Sequence, residues 1–295
     1  MHPVFDFLWF SVFAIYCYIE ALVKFFIPVK RKSVAGEIVL ITGAASGIGK
    51  LTAFEFAKHG SRLVLWDINK FGIEETAEEC RKLGVEAYPY VVDCSLREEI
   101  YSAAEKVKKD VGDVTILINN AGMVVTGDLL STPDTQIQKM YEINILAHYW
   151  TIKAFLPAMM KKNHGHIVTV ASAGAIVPVP FLLPYCSSKF AALGLHKDFT
   201  KELSALGKDG IKTTCLCPFF VNTGFIKNPQ SRIIPILKPE AVARRLMDGI
   251  LCNQNRIVLP FSVIMYPWME IILPERALVA LEKILNISFD VKKQE

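Results

Sequence analysis

No two cysteine or histidine pairs in this chain stand at the spacing of a zinc site; Cys215 and Cys217 form a C-x-C with no second pair. The seven cysteines are odd in number and scattered, which excludes a simple disulfide framework and points to a reduced compartment. Most of them are expected to be small buried hydrophobes. His148, His164 and His166 lack ligand partners at a convincing spacing, so they read as structural and no metal is expected. Strong charge is missing too: 33 Lys and Arg against 29 Asp and Glu leave a net +4, and no nucleic-acid footprint results. There is no internal repeat and no low-complexity linker. The uncharged run near the N-terminus, Phe7–Ile19, is shorter than the roughly 18–20 residues of a simple membrane-spanning helix.

What is present begins with an apolar N-terminus. "FLWFSVFAIYCYI" (Phe7–Ile19) carries no charge, is followed by Glu20 and Lys24, and leads into the basic run Lys30–Lys32. A positive start and an A-x-A-like cleavage site are lacking, so a removable signal peptide fits poorly. A retained anchor fits better than a buried amphipathic helix. The apolar face is aromatic-rich, and the trailing lysines suit an anionic cytoplasmic surface. Such a segment could lie in one leaflet or insert as part of a hairpin.

From Gly36 to Pro260 strands and helices alternate. Strands are expected at Glu37–Thr42, Ser61–Asp67, Glu86–Asp93, from Val114, at Gly165–Ser172 and at Ile211–Pro218. Helices are expected at Ile48–His59, Lys70–Leu83, Arg97–Val111, Gln136–Lys161 and Pro184–Leu206, with a last helix–strand pair near Pro239–Pro260. This is an α/β pattern: a doubly wound parallel sheet of Rossmann type in one domain, 36–260. Residues 1–35 form the anchor and basic linker. Residues 261–295 are an apolar extension that either packs on the body or caps a substrate pocket and touches membrane. "KVKKD" (Lys106–Asp110) reads as a solvated helix face. The N-x-S sequon at Asn286 would be modified only on a lumenal side, which the basic run argues against.

Two stretches carry chemistry. "TGAASGIGK" (Thr42–Lys50) joins the first strand to the first helix. Gly43 permits a tight turn, Gly47 lets backbone approach a pyrophosphate, and Gly49 allows close helix–strand packing. The helix N-terminus then offers free N–H groups to phosphates. Asp67 ends the second strand eighteen positions past Gly49, near the spacing at which an acid binds ribose hydroxyls. A carboxylate there repels a 2′-phosphate, Ser46 rather than a basic residue precedes Gly47, and Ile68 and Asn69 are neutral, so NAD is favoured over NADP. The second stretch is "YCSSK". Tyr185 and Lys189 share a helix face. A nearby ammonium is expected to pull the phenol below its usual value of about 10. Such a tyrosine can move a proton to or from an alcohol or carbonyl. Ser172, thirteen residues earlier at a strand end, can orient the substrate oxygen.

These motifs, with N-N-A-G at Asn119–Gly122 and the asparagine of "YEIN" (Asn144), resemble the short-chain dehydrogenase/reductase family over roughly Gly36–Pro260. The resemblance implies a catalytic tetrad of Asn144, Ser172, Tyr185 and Lys189. Tyr185 would be the general acid/base, and Ser172 would hold the substrate oxygen. Lys189 would tune Tyr185 and bind the nicotinamide ribose, and Asn144 would anchor a water linking Lys189 to solvent. The implied cofactor set is Gly43, Ser46, Gly47, Ile48, Gly49, Asp67, Asp93, Cys94, Asn120, Ala121, Gly122, Tyr185, Lys189, Pro218, Val221 and Thr223. Asp93 would sit by the adenine. "PFFVNT" (Pro218–Thr223) has Phe219 where the family usually has glycine, which puts local loop geometry in question.

Stretches such as "VLWDINK", "PYCSSKFAA" and "VNTGFIKNP" are similar to a membrane- and lipid-droplet-associated hydroxysteroid dehydrogenase branch, close to microsomal retinol dehydrogenases. That similarity implies attachment to lipid droplets and endoplasmic reticulum, with the catalytic domain facing the cytosol and a phospholipid monolayer or membrane as partner. It also implies a homodimer and a lipophilic alcohol, for example a 17β-hydroxysteroid such as estradiol. The apolar segments Ala173–Pro184 and Gly224–Leu237, the latter expected as a mobile flap, suit a steroid, retinoid or other lipid-derived alcohol without choosing among them. A lipid-droplet surface protein with weak or lost catalysis is the rival from another class, and the intact Ser172–Tyr185–Lys189 set argues against it.

Overall fold

The computed structural model describes residues 3–26 and 30–291, and the chain divides into two units, 1–32 and 33–295. In the first unit, one helix, α1 (Pro3–Phe26), exposes aromatic and aliphatic side chains along its length, Phe7, Trp9 and Tyr18 among them. No helix among the described residues is long and apolar enough to cross a membrane.

The second unit is a seven-stranded, wholly parallel sheet with helices between its strands. In chain order its elements are β1 (Ile38–Thr42), α2 (Gly47–Lys58), β2 (Arg62–Asp67), α3 (Lys70–Lys82), β3 (Ala87–Val91), α4 (Arg97–Asp110) and β4 (Ile116–Asn119). There follow α5 (Asp134–Tyr141), α6 (Ala147–Lys162), β5 (Gly165–Val170), α7 (Leu183–Ala205), β6 (Ile211–Pro218), α8 (Pro239–Leu251) and β7 (Arg256–Leu259). Two helices close the chain, α9 (Tyr266–Ile272) and α10 (Glu275–Leu285).

The strand order is β3-β2-β1-β4-β5-β6-β7. The order reverses between β1 and β4, where ligands bind in open α/β sheets. Covered on both faces, β4 and β5 are buried at every position, which is why they read as continuous apolar runs rather than alternating ones. One core lies between the sheet and α2, α3 and α8, with Phe56, Ile41 and Leu246 inside. Another lies under α4, α6 and α7, where Trp66 and Phe155 pack at a centroid distance of 5.8 Å. Each fully buried large apolar side chain there contributes about 1.5–3 kcal/mol.

One difference from the sequence reading bears on the site. The helix expected over Gln136–Lys161 is interrupted by a π-turn, Glu142–Leu146, which contains Asn144. Beyond β7 the tail packs on the body: Val263, Tyr266, Leu278, Ile287 and Phe289 join the cluster that surrounds Tyr185.

Candidate active site

The glycine loop is held by its own neighbours. Gly43 and Gly47 have φ of +67° and +54°, a region that glycine alone adopts without strain. A Cβ on Gly49 would collide with the Gly43 carbonyl oxygen, so α2 can approach the loop only with glycine there. The Asn120 side chain clamps the same loop, donating to Thr42 O at 2.9 Å and Gly43 O at 3.0 Å. Thr42 Oγ1 accepts from the backbone N–H groups of Asn120 and Ala121, both at 3.0 Å. Ser46 gives the helix no side-chain cap, and Ser46, Gly47 and Ile48 line the cavity. The uncapped N–H groups of the first turn and the glycine cradle therefore fit a dinucleotide pyrophosphate.

That cavity measures about 440 Å³. Gly43, Asp67, Asn120, Ala121 and Gly122 line it together with Ser172, Tyr185, Lys189, Pro218, Val221 and Thr223. Asp67 stands at the end of β2. Its Oδ2 accepts from Ala45 N at 3.0 Å and its Oδ1 from Asn69 N at 2.9 Å, so it both turns the chain and braces the loop. Asp93 and Cys94 follow β3. Asp93 accepts from the Ser95 backbone and hydroxyl at 2.8 and 2.7 Å and stands 3.7 Å from Lys139. Cys94 is buried beneath α4, where desolvation pushes its thiol up to about 12. Neither they nor Gly49 or Asn144 form the cavity wall.

Helix α7 brings the reactive side chains in. Pro184 sits in its first turn, where a missing N–H costs nothing. Tyr185, Ser188, Lys189 and Ala192 then repeat on its buried face. Tyr185 is 7% exposed. Burial pushes its phenol up to about 12, against a hydrogen bond with Ser172 that pulls the other way. The expected lowering by Lys189 is not found. The ammonium lies 5.8 Å from the tyrosine ring centroid and donates to Val170 O at 3.0 Å, and burial lowers Lys189 itself to about 8. Desolvation of the phenol outweighs the Ser172 hydrogen bond. Ser172 Oγ accepts from Gly174 N at 3.0 Å, which fixes the serine at the strand end.

Asn144 supports this group through its amide. It accepts from Met123 N at 2.8 Å and donates to Met123 O and Ser188 Oγ, both at 2.9 Å. A Cβ on Gly122 would lie 3.4 Å from Asn144 Oδ1 and 3.6 Å from Lys189 Nζ, ordinary contact distances, so Gly122 sits where these two groups meet. Both amide hydrogens are thereby used, and sequence reading missed its partners because two are backbone atoms 21 residues away.

Phe219 causes no distortion: its φ is not positive, so no glycine is required, and its ring packs on Phe220 at 4.7 Å. The segment 224–237 contributes Gly224, Phe225 and Ile226 to the cavity wall. Its outer edge is bonded to the chain end. Gln230 and Ser288 exchange backbone hydrogen bonds of 2.7 and 3.0 Å, and Arg232 N donates to Leu285 O at 3.1 Å. Of the cysteines, Cys80, Cys94, Cys186, Cys215 and Cys217 are buried, and all seven are free. His164 meets Glu37 at 2.9 Å and His166 meets Thr214 at 2.8 Å.

Comparison with known proteins matches residues 37–233 to the family described as short chain dehydrogenase. The chain is 64% identical over 272 residues to estradiol 17-beta-dehydrogenase 11 from Mus musculus, covering 92% of this chain and 91% of that one. It is 59% identical over 290 residues to 17-beta-hydroxysteroid dehydrogenase 13 from Homo sapiens, covering 98% and 97%. An NAD complex of a short-chain dehydrogenase/reductase from Burkholderia phymatum has the same fold, with a TM-score of 0.75 at 22% identity over 88% of this chain and 100% of that one. An alcohol dehydrogenase from Thermococcus sibiricus, complexed with 5-hydroxy-NADP, gives 0.68 at 27% identity over 76% and 95%. With the glycine loop, the serine, the tyrosine and the lysine on one cavity wall and the family matched across two thirds of its length, the chain belongs to the short-chain dehydrogenases.

Proposed function

We propose that the protein is an NAD-dependent oxidoreductase that interconverts a lipophilic secondary alcohol, a 17β-hydroxysteroid such as estradiol, and its ketone. The observation that carries this reading is the shared cavity wall: Ser172, Tyr185 and Lys189 open onto the same space as the glycine loop and Asp67. A nicotinamide dinucleotide bound along that loop supplies the hydride acceptor or donor. The protein's part is positioning and proton transfer. Ser172 orients the substrate oxygen beside Tyr185. In oxidation Tyr185 first gives up its own phenol proton and then takes the hydroxyl proton as the carbonyl forms; in reduction the protonated phenol gives its proton to the carbonyl oxygen. Asp67 favours NAD, since its carboxylate repels a 2′-phosphate.

The steroid class is supported by the names of the two relatives and by apolar walls, with Val177, Val179, Leu182, Phe225 and Ile226 facing the cavity. A retinoid or another lipid-derived alcohol suits the same walls. We further propose attachment to the phospholipid surface of lipid droplets and endoplasmic reticulum, with the catalytic domain in the cytosol. Support comes from the exposed apolar length of α1 and, separately, from Phe261, Trp268, Ile271 and Ile272 near the other end. A homodimer is proposed through α6 and α7, which expose Tyr149 and Phe190.

The test is hydride transfer by purified protein in detergent or lipid, with NAD or NADP and with estradiol, all-trans-retinol or a long-chain alcohol. NAD-dependent turnover of estradiol that disappears in Tyr185→Phe is expected. Preference for retinol or the long-chain alcohol would replace the steroid reading. No turnover by folded, NAD-binding protein would overturn the oxidoreductase assignment for these substrates.

A further inference from the structure

Five non-glycine residues among those described have a positive φ, and four of them are asparagines, Asn163, Asn228, Asn253 and Asn286. Asparagine tolerates the left-handed region because its short amide bonds locally. The fifth is Phe181, at φ +63°, where a bulky side chain is an outlier. Its place in the chain explains the φ. Leu182 N donates to Val179 O at 3.3 Å and closes a four-residue turn, with Pro180 second and Phe181 third. That is the type II pattern, which favours proline at the second position and calls for glycine at the third. The loop before α5 braces the corner. Gly127 N donates to Phe181 O at 3.0 Å, and Asp128 ties the same loop by accepting from Leu130 N and Ser131 N, both at 3.0 Å.

A glycine would make this turn without strain. Core packing does not account for the phenylalanine either, since Phe181 is 50% exposed. The ends of the turn do have a role. Val179 and Leu182 both line the cavity that holds Ser172 and Tyr185. Phe181 is thus the tip of a turn whose ends are cavity wall, four residues ahead of Tyr185 in the chain. Strained residues gather at ligand sites, where the strain serves the function. We propose that Phe181 is a specificity-determining residue. Its ring extends the apolar wall outward from Val179 and Leu182 and covers the far part of a long apolar substrate whose alcohol stands at Tyr185. The proposal rests on the oxidoreductase reading of the site.

The substrate class follows from the chemistry of that wall. Val177, Val179 and Leu182 on this side, and Phe225 and Ile226 from 224–237, offer no charge and no side-chain hydrogen bond. An aromatic face added beyond them favours flat, polycyclic or polyunsaturated hydrocarbon. A small alcohol that ends inside the wall gains nothing from the ring, whereas a steroid or retinoid does.

The experiment compares Phe181→Gly and Phe181→Tyr in the full chain in detergent. Glycine keeps the turn and removes the ring, so the two roles separate. With NADH present, equilibrium dialysis should show Phe181→Gly binding estrone about tenfold more weakly, the loss of part of a buried aromatic side chain. Phe181→Tyr, which keeps the ring, should bind it within about twofold of wild type. In turnover the estradiol KM should rise about tenfold in Phe181→Gly with kcat within about twofold, and the KM for cyclohexanol should stay unchanged. Thermal unfolding should be no earlier than in wild type, because the corner is relieved. Wild-type estrone affinity in Phe181→Gly would overturn the proposal; a change of oligomeric state alongside that result would give the ring to a second copy of the chain. All-trans-retinal is the parallel probe, compared in the same way, and a wild type that binds neither probe overturns the proposal too. Estrone held by wild type and lost from Phe181→Gly, with no turnover of any alcohol, would instead count against the oxidoreductase reading and leave the wall assignment standing. Should Phe181→Gly fail to fold, Phe181→Asn, whose amide tolerates the same φ, makes the same comparison.

Discussion

Lys189 donates to the carbonyl of Val170 at 3.0 Å, joining the second turn of α7 to the last residue of β5. The bond directs the ammonium past the face of the Tyr185 ring. Both groups are buried, and burial moves them in opposite directions, the phenol up to about 12 and the ammonium down to about 8. Tyr185 therefore holds its proton at neutral pH, and Lys189 is the group whose charge changes nearest the working range.

This has a kinetic consequence. Alcohol oxidation needs Tyr185 to pass a proton onward, so its kcat/KM should rise as Lys189 discharges near pH 8, and ketone reduction should fall. Lys189→Met should cost about 10²-fold in rate and flatten that limb, as read from steady-state rates in both directions. Stability carries the same sign. The unfolded chain keeps this lysine protonated to about pH 10.4, while the folded protein releases the proton near 8, so stability should rise with pH between the two. Below pH 8 the buried charge costs on the order of 3 kcal/mol. Denaturant unfolding of Lys189→Met at pH 7 should show a gain of that order; equal or lower stability would contradict it.

Asp67 decides between cofactors if its charge faces the ribose. Asp67→Asn keeps a hydrogen-bonding oxygen for Ala45 N but removes the charge. NAD affinity should fall and NADP affinity rise, each by about tenfold, the cost of about one hydrogen bond to a charged group. Fluorescence titration with the two cofactors measures the ratio, and an unchanged ratio would return Asp67 to a turn-forming role.

Gly49 admits no side chain. In Gly49→Ala the new methyl would meet the Gly43 carbonyl, a backbone atom that cannot swing aside. Either α2 or the loop must shift, at a cost of about 1–3 kcal/mol. Thermal unfolding should register the loss, and NAD affinity should drop with it because the same loop forms the phosphate cradle. Gly36→Ala, at an open position with positive φ, should destabilise without changing NAD affinity.

The chain end stabilises the roof of the cavity. Phe289 meets Phe220 edge-on at 6.0 Å, and Ser288 pairs with Gln230. Truncation after Leu285 should therefore open 224–237 to limited proteolysis and raise the substrate KM more than it lowers kcat. Cleavage no faster than in the full chain would show that the roof stands without the tail.

Much of this architecture was legible because periodicity survives in a buried parallel sheet. The helix expected over Pro184–Leu206 is found at Leu183–Ala205, and the strand at Ile211–Pro218 is found unchanged. The π-turn at Asn144 was not legible. It depends on the asparagine's grip on Met123 and Ser188, which lie 21 and 44 residues away, and no local spacing encodes that. Asp93 and Cys94 follow a strand as the resemblance requires, and only the fold shows their partners, Ser95 for the one and the α4 core for the other.

Read alone, the sequence determines the order of strands and helices, the glycine turn, the acid after the second strand, and the shared helix face of Tyr185 and Lys189. All of these follow from spacing along the chain. Only the tertiary structure decides how deep that face lies. Depth controls desolvation, and desolvation reverses the expected direction of the Tyr185 shift. The same holds for the tail: its composition announces an apolar segment, but its place against the 224–237 segment rests on contacts with residues some sixty positions earlier, Gln230 with Ser288 among them.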